Sequence, residues 1–471
     1  MKARFENLKV LLSERVTLYP VLTGILFLVN ELRNNSGFYT IKENVLLVVI
    51  IIGFSFIVDS VSRKFVKSKV KAALIAVLFI FINLFYQDIY LIISSIGWVM
   101  NILNSTTANH PEIIIIPVLS MIWLAFTFII QRTIRSLNGL NLYLNGLIIF
   151  FILFELAKWL IYPVPKIKLV DSEPFPISND FKSVQKPDIY YIILDAYTSS
   201  ESLKKYWSYD NSMFEDSLKQ LGFFVAKKSK PDYIYTSFCL ASYLNSSLLI
   251  LDSTKHYTEK NLLQLIRNNR LFYWLSANNY RCYNYSIYNS FGSKKYYNPF
   301  TYNHFLGRTI WYTNFIKFYH FVHPSSRISY TNLRIFKKLG DLSKDSLQKQ
   351  FFVYAHVMMP HFPFSFDRNG KPFSKSDSSN DEKKYLEQLI YTNTLTLKTL
   401  NNILTSSRPK PIIIIQGDHG YRYLKNISEV ERLQEAHSIF FAIYSPNDMV
   451  VSDTIKPLNV FKKVVNKIND F

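Results

Sequence analysis

The chain has 471 residues, with 54 Lys or Arg against 34 Asp or Glu, a net charge of +20. That length allows two or three domains. With two cysteines, Cys239 and Cys282, and no CxxC or Cys/His array, nothing supports a zinc finger, a redox dithiol or a disulfide framework.

The first third is very apolar. Five apolar stretches stand out, roughly Val16–Leu32, Asn44–Asp59, Val70–Phe85, Ile113–Ile130 and Leu142–Tyr162. Most approach the ~20 residues needed to cross a ~30 Å hydrocarbon core. A shorter run, Ile89–Met100, fits an interfacial, re-entrant or additional span. No small-residue cleavage site follows the first run and further runs come after it, so a cleavable signal peptide is not expected. Lys and Arg cluster before the first stretch, between the second and third (Arg63, Lys64, Lys67, Lys69, Lys71) and between the fourth and fifth (Arg132, Arg135). The alternate loops carry only Arg33 and Lys42, then none between Phe85 and Pro111. By the positive-inside rule this pattern puts the N-terminus in the cytoplasm and everything after Tyr162 outside. A buried helical core of a soluble protein would show no such alternation.

Residues 163–187 are rich in proline and polar residues and read as an extended connector with no core of its own. Residues 1–165 hold 14 Lys/Arg and 8 Asp/Glu, so the rest holds 40 and 26, a surplus of +14. A basic domain tethered outside a bilayer suits anionic head groups or polymers. No nucleic-acid-binding motif is present, and no nucleic-acid partner is expected. The expected division is residues 1–162 as a transmembrane domain of about five helices, 163–187 as a linker and 188–471 as an extracytoplasmic domain.

The outer part opens on Asp188–Asp195 (DIYYIILD), a buried-strand pattern ending in an acid. An amphipathic stretch, Asn211–Leu221, follows a polar turn. Phe351–Val357 is another apolar run near a histidine. Tyr385–Leu404 places Leu386, Leu389, Ile390, Leu397, Leu400 and Ile403 on one helical face and leads into the next strand. That strand, in PIIIIQGDHG (Pro411–Gly420), reads as central in a parallel sheet, and Ser438–Ser445 as a further strand. Strands alternating with helical patterns predict an α/β domain with a largely parallel central sheet.

Three strand ends thus carry Asp195, the His356/His361 region, and Asp418 with His419. Open α/β sheets place ligands at the carboxyl ends of their strands. Adjacent oxygen and nitrogen donors suit zinc or manganese. Alone, His419 would read as a turn residue. Between these stretches, Asp232–Asn245 (DYIYTSFCLASYLN) sets Thr236 and Ser237 ahead of a helix-compatible segment. A hydroxyl there is placed for a nucleophile, because the dipole and free N–H groups stabilise an anion. Alone, Thr236 would read as an N-cap.

The ordered set LDAYTSSESL, DYIYTSFCLASYLN, HVMMPHFPFSFDRNG and IIIIQGDHG resembles the alkaline phosphatase superfamily. More narrowly it is similar to the sulfatase-like, membrane-anchored transferases, which include lipoteichoic acid synthase and the lipid A phosphoethanolamine transferases. The resemblance covers nearly the whole chain. It implies a divalent metal, zinc or manganese, at one site and possibly two. Asp195, Thr236, Asp418 and His419 would be its ligands, Thr236 the nucleophile and His361 a substrate-contacting residue. It leaves His356 as either a second-site ligand or a strand-end residue. Ser237 is the alternative nucleophile, and His437 reads as structural. Two departures stand out. Cys239 lacks the Cys/Ser-x-Pro-x-Arg context of formylglycine sulfatases, and Asp195 stands where lipoteichoic acid synthase has glutamate. The implied activity moves a phospholipid head group, phosphoglycerol or phosphoethanolamine, to a cell-envelope glycan or lipid-linked acceptor through a phospho-threonine. The alternatives are a phospho- or sulfo-ester hydrolase and a non-catalytic binding module.

Overall fold

The computed structural model describes residues 16–34, 41–107, 111–161, 167–170, 186–252, 259–288, 290, 293–295, 328–342, 350–373, 379–407, 409–446 and 449–469. The chain forms two compact units, one N-terminal and helical, the other beginning at Pro165.

In the first unit each of the five apolar stretches falls on a helix: Tyr19–Asn34, Ile41–Phe65, Lys69–Leu84, Glu112–Arg132 and Asn138–Ile161. Tyr86–Ser94 and Gly97–Thr107 cover the shorter run. Among the described residues, three segments are long and apolar enough to cross a membrane: Asn44–Phe65, Glu112–Arg132 and Asn138–Ile161. Lys69–Leu84 with Tyr86–Ser94, bent by 66°, makes a fourth if the pair is one span. Tyr19–Asn34 has only 16 residues, short of the ~20 for a straight crossing. Three or four of the five expected spans thus meet that length and hydropathy among the described residues. Large side chains on these helices, such as Val49, Ile57, Leu124 and Ile129, are exposed, as lipid-facing residues are. Inside the bundle, Asn145 is fully buried. Its Oδ1 accepts from the Leu18 and Tyr19 amides at 2.9 and 3.1 Å, satisfying donors that a helix start leaves open.

The second unit is α/β. Among the described residues its main sheet has seven strands: β2 (Ile189–Leu194), β3 (Phe224–Ala226), β5 (Arg281–Tyr285), β6 (Lys294–Lys295), β7 (Phe351–Val357), β8 (Ile412–Gly417) and β9 (Phe441–Tyr444), in the order β3-β9-β8-β2-β7-β5-β6. β8, β2, β7, β5 and β6 run parallel. β9 is antiparallel to β8 and β3 to β9. The largely parallel sheet is the one expected. β2, β7 and β8 are buried at every position, which is why they read as continuous apolar runs. The edge strands β3 and β6, and β5 beside β6, are short or mixed in composition, and no apolar run announces them.

The connector is not wholly without structure. Lys168–Leu169 (β1) pairs antiparallel with Leu249–Ile250 (β4), and Ile167 is buried. Residues 171–185 of the connector lie outside those described.

Candidate metal centre

The register of the three central strands builds the site. Ile193 pairs with His356 on β7 and with Gln416 on β8, and Leu194 pairs with Val357 and Gly417. Side chains alternate between sheet faces with a period of two. His356 and Gln416 therefore share the face of Ile193. Asp195 and Asp418 follow two residues on, at the carboxyl edge. Backbone contacts hold this edge: the Asp195 amide donates to the Val357 carbonyl at 2.9 Å, and the His361 amide to the Asp195 carbonyl at 3.1 Å.

Two glycines permit the turn after β8. A Cβ on Gly417 would lie 2.4 Å from the Tyr197 carbonyl oxygen, and one on Gly420 2.0 Å from that of Glu435. Backbone cannot approach so closely past any other residue. Within the turn, Asp418 Oδ1 accepts from the Ala196 and His419 amides, each at 2.9 Å. Tyr243 donates its hydroxyl to the Asp418 carbonyl at 2.8 Å. The helix Asp381–Ser406 braces the other loops. Tyr385 donates to the Ala196 carbonyl at 2.7 Å. Gln388 donates to the Pro360 and His361 carbonyls at 3.2 and 3.0 Å.

Asp195, His356 and Asp418 are buried and offer ligand atoms all within 4.8 Å of one another. His356 Nε2 lies 3.3 Å from Asp195 Oδ2. His419 Nε2 lies 3.5 Å from Asp418 Oδ2 and 3.7 Å from Asp195 Oδ1. Asp195 Oδ1, Asp418 Oδ2 and both ring nitrogens of His356 make no hydrogen bond although buried. Buried polar atoms left without partners are costly, and one cation would satisfy both carboxylate oxygens and one of the His356 nitrogens. His419 Nδ1 faces the Gly420 carbonyl at 2.8 Å. That acceptor fixes the proton on Nδ1 and leaves the Nε2 lone pair facing the carboxylates, as outer contacts orient metal-binding imidazoles. The residues present fit a divalent cation.

The electrostatics agree. Burial works to raise the Asp195 carboxyl pKa, but the imidazoles of His361, His356 and His419 together hold it below the usual carboxylate range. Burial lowers the His419 pKa against the pull of Asp418 and Asp195, and Arg422 lowers it further. A carboxylate kept ionised beside a neutral imidazole is the protonation state that binds metals.

Thr236 begins the helix Thr236–Tyr243. Its Oγ1 lies 3.2 Å from His419 Nε2, so the hydroxyl faces the same lone pair as the carboxylates. The His361 ring centre is 6.3 Å from that of His419, and both rings line one small cleft. All five residues expected at the site thus meet at one sheet edge. His356, left open between two roles by the sequence, joins them from β7. Ser237 is buried beside Thr236, with no recorded contact to the cluster among the described residues. Cys239 is buried, with its thiol 3.1 Å from the Tyr233 carbonyl, and burial raises its pKa. It does not resemble an activated nucleophile. His437 Nδ1 contacts the Leu433 carbonyl, one turn back at the end of the helix Glu429–Ala436. Arg422 was not singled out from the sequence. It lines the cleft with His361 and His419.

No protein-family model matches the chain, and no curated protein matches it. Among solved structures it is similar to the C-terminal periplasmic domain of EcEptC from Escherichia coli in complex with Zn, at 11% identity and a TM-score of 0.38, over 65% of this chain and 85% of that one. It is similar to the lipoteichoic acid synthase LtaP from Listeria monocytogenes, at 13% identity and a TM-score of 0.42, over 60% and 72%. It is also similar to an alkaline phosphatase superfamily protein from Vibrio parahaemolyticus, at 9% identity and a TM-score of 0.38, over 60% and 67%.

Proposed function

We propose that this chain is a membrane-anchored, metal-dependent phosphotransferase that moves a phospholipid head group to a cell-envelope acceptor through a phospho-threonine. The observation that carries the reading is the Thr236 hydroxyl, 3.2 Å from His419 Nε2 and beside the buried Asp195, His356 and Asp418. Nucleophile and metal donors at one strand edge are what phosphoryl transfer needs, since its catalysis is mostly positioning and charge stabilisation.

In the first half-reaction Thr236 Oγ1 bonds to phosphorus and the bond to the diacylglycerol oxygen breaks. The proton lost by Thr236 ends on the leaving alcohol. In the second, an acceptor hydroxyl bonds to phosphorus, the Thr236 ester breaks, and the acceptor's proton ends on Thr236. His361, which lines the cleft beside His419, is the residue proposed to carry these protons or hold the head group. Asp195, Asp418, His419 and His356 would hold zinc or manganese, chosen for their oxygen and nitrogen donors. When bound, such an ion lowers the hydroxyl pKa and offsets charge on the phosphate oxygens. The proposed layout is residues 1–162 in the membrane with the N-terminus cytoplasmic, 163–187 as linker, and 188–471 outside, where donor lipid and glycan acceptor are both at hand.

The test is mass spectrometry of the full chain, in detergent and with metal, after incubation with phosphatidylglycerol or phosphatidylethanolamine. The expected result is a head-group phosphate on the Thr236 peptide, absent in Thr236→Ala and discharged by an acceptor glycan. Full turnover by Thr236→Ala would overturn the assignment. Turnover to water at the same rate with and without acceptor would make the chain a hydrolase instead.

A further inference from the structure

Arg422 stands four residues after Asp418, in the loop that leaves the site. Its guanidinium carbon lies 5.0 Å from the centre of the Tyr235 ring and 5.5 Å from that of Tyr423. Tyr235 immediately precedes Thr236. The cation is therefore held between the loop that carries the hydroxyl and the loop that carries Asp418 and His419. Ring contacts of this kind fix an arginine in place without using its N–H groups. Among the described residues the guanidinium makes no hydrogen bond and no ion pair, and its Nε is shielded from solvent without a partner. Such a group is either costly or waiting for an acceptor. It lines the cleft shared by Ala196, His361 and His419.

We propose that Arg422 binds the charged oxygens of the substrate and that it selects a singly charged tetrahedral ester, a phosphodiester or a sulfate monoester. This rests on the metal-dependent transfer reading above. The planar N–H fork of arginine matches two oxygens of such a group bidentately. The charge count supplies the selectivity. The carboxylates of Asp195 and Asp418 match a divalent cation in charge, and among the described residues that line the cleft Arg422 is the one Arg or Lys. A monoanion neutralises it, whereas a phosphate monoester dianion leaves an excess of negative charge in a low-dielectric site. Exposed rings at the rim, Tyr235, Phe362 and Tyr423, give the organic part of the ester apolar faces to rest on.

The experiment is calorimetric titration of the full chain, in detergent and zinc-loaded, with dimethyl phosphate, methyl sulfate and methyl phosphate. It is repeated on Arg422→Gln and Arg422→Lys, with zinc content measured for each. The expected result is that one of the two monoanions binds more tightly than methyl phosphate. Which of them binds more tightly separates a phosphodiester from a sulfate ester. Arg422→Gln should weaken that binding at least tenfold at unchanged zinc content, and Arg422→Lys should fall between, keeping the charge but not the fork. Equal binding by the parent and Arg422→Gln would overturn the role of Arg422 while leaving the transfer reading standing. Tighter binding of methyl phosphate would overturn the single-charge selection. A zinc-loaded parent that binds none of the three would overturn both the inference and the reading beneath it.

Discussion

Thr236 and Gly420 show how differently two residues at one site should respond to a single methyl-scale change. Replacing Thr236 by Ala removes a half-exposed hydroxyl with one close partner, His419. The expected outcome is loss of transfer by at least about a thousandfold with metal content and thermal stability nearly unchanged, read by activity, elemental analysis and calorimetry on the same preparation. Replacing Gly420 by Ala adds a methyl 2.0 Å from a backbone oxygen of Glu435, and backbone cannot swing aside as a side chain can. Strain on the order of 3 kcal/mol is expected, seen as a lower unfolding temperature together with a weakened metal site. The Asp-His pair and its flanking glycines are legible in the sequence because polar residues interrupt an apolar run so abruptly. His356 is harder to assign. It sits inside an apolar run, and only the pairing of Ile193 with His356 turns it toward Asp195.

The elements around the site carry their own titration. Glu435, near the end of the helix Glu429–Ala436, is buried and accepts from the Thr198 hydroxyl in the loop after β2. Burial raises its pKa to about 7, against hydrogen bonds and the more distant Lys205 that act to lower it. The folded protein therefore holds this proton more tightly than the unfolded chain does. Its stabilising effect is complete below the ordinary glutamate range and is lost as the pH rises through about 7. Thermal unfolding of the parent should fall by several degrees between pH 5 and pH 8, and Glu435→Gln should flatten that slope. A slope unchanged in the variant would assign the pH dependence elsewhere. The helix Asp381–Ser406 gives a second test. Tyr385 donates to the Ala196 carbonyl and accepts from the Thr198 amide. Tyr385→Phe leaves both without this partner, and a loss of about 1–3 kcal/mol in unfolding free energy is expected. The central strands β2, β7 and β8 could be read in advance because burial on both faces leaves a continuous apolar signature. The outlying strand β5 could not, because half-buried residues such as Arg281 and Tyr283 carry no such run. The antiparallel direction of β9 was also hidden, since strand direction depends on the connection rather than on composition.

For the whole molecule, chelation is the sharpest perturbation. Removing a divalent ion that binds only the folded state should lower stability by about 2.7 kcal/mol if the ion was present at a hundred times its dissociation constant. The α/β unit should show this as a lower unfolding temperature that returns on adding zinc or manganese. The apolar helices make a separate prediction: the chain should stay with membranes through alkaline washing and leave them only in detergent. The same hydropathy flagged all five helices in advance, whereas the 66° bend after Lys69–Leu84 leaves no mark in it.

The Ala196 amide and the Asp418 carboxylate that anchors the site are 222 positions apart in sequence. No local segment can make that contact. β2 must wait for β7 and β8, strands that follow late in the chain. Parallel pairings across such spans close slowly, since the entropy of the loop is lost before the pairing repays it. During synthesis the first carboxylate emerges long before its partners, and a free ion meets only scattered donors. Metal capture should therefore be among the last events of assembly. A molecule that holds its ion firmly has, by that fact, completed its central sheet.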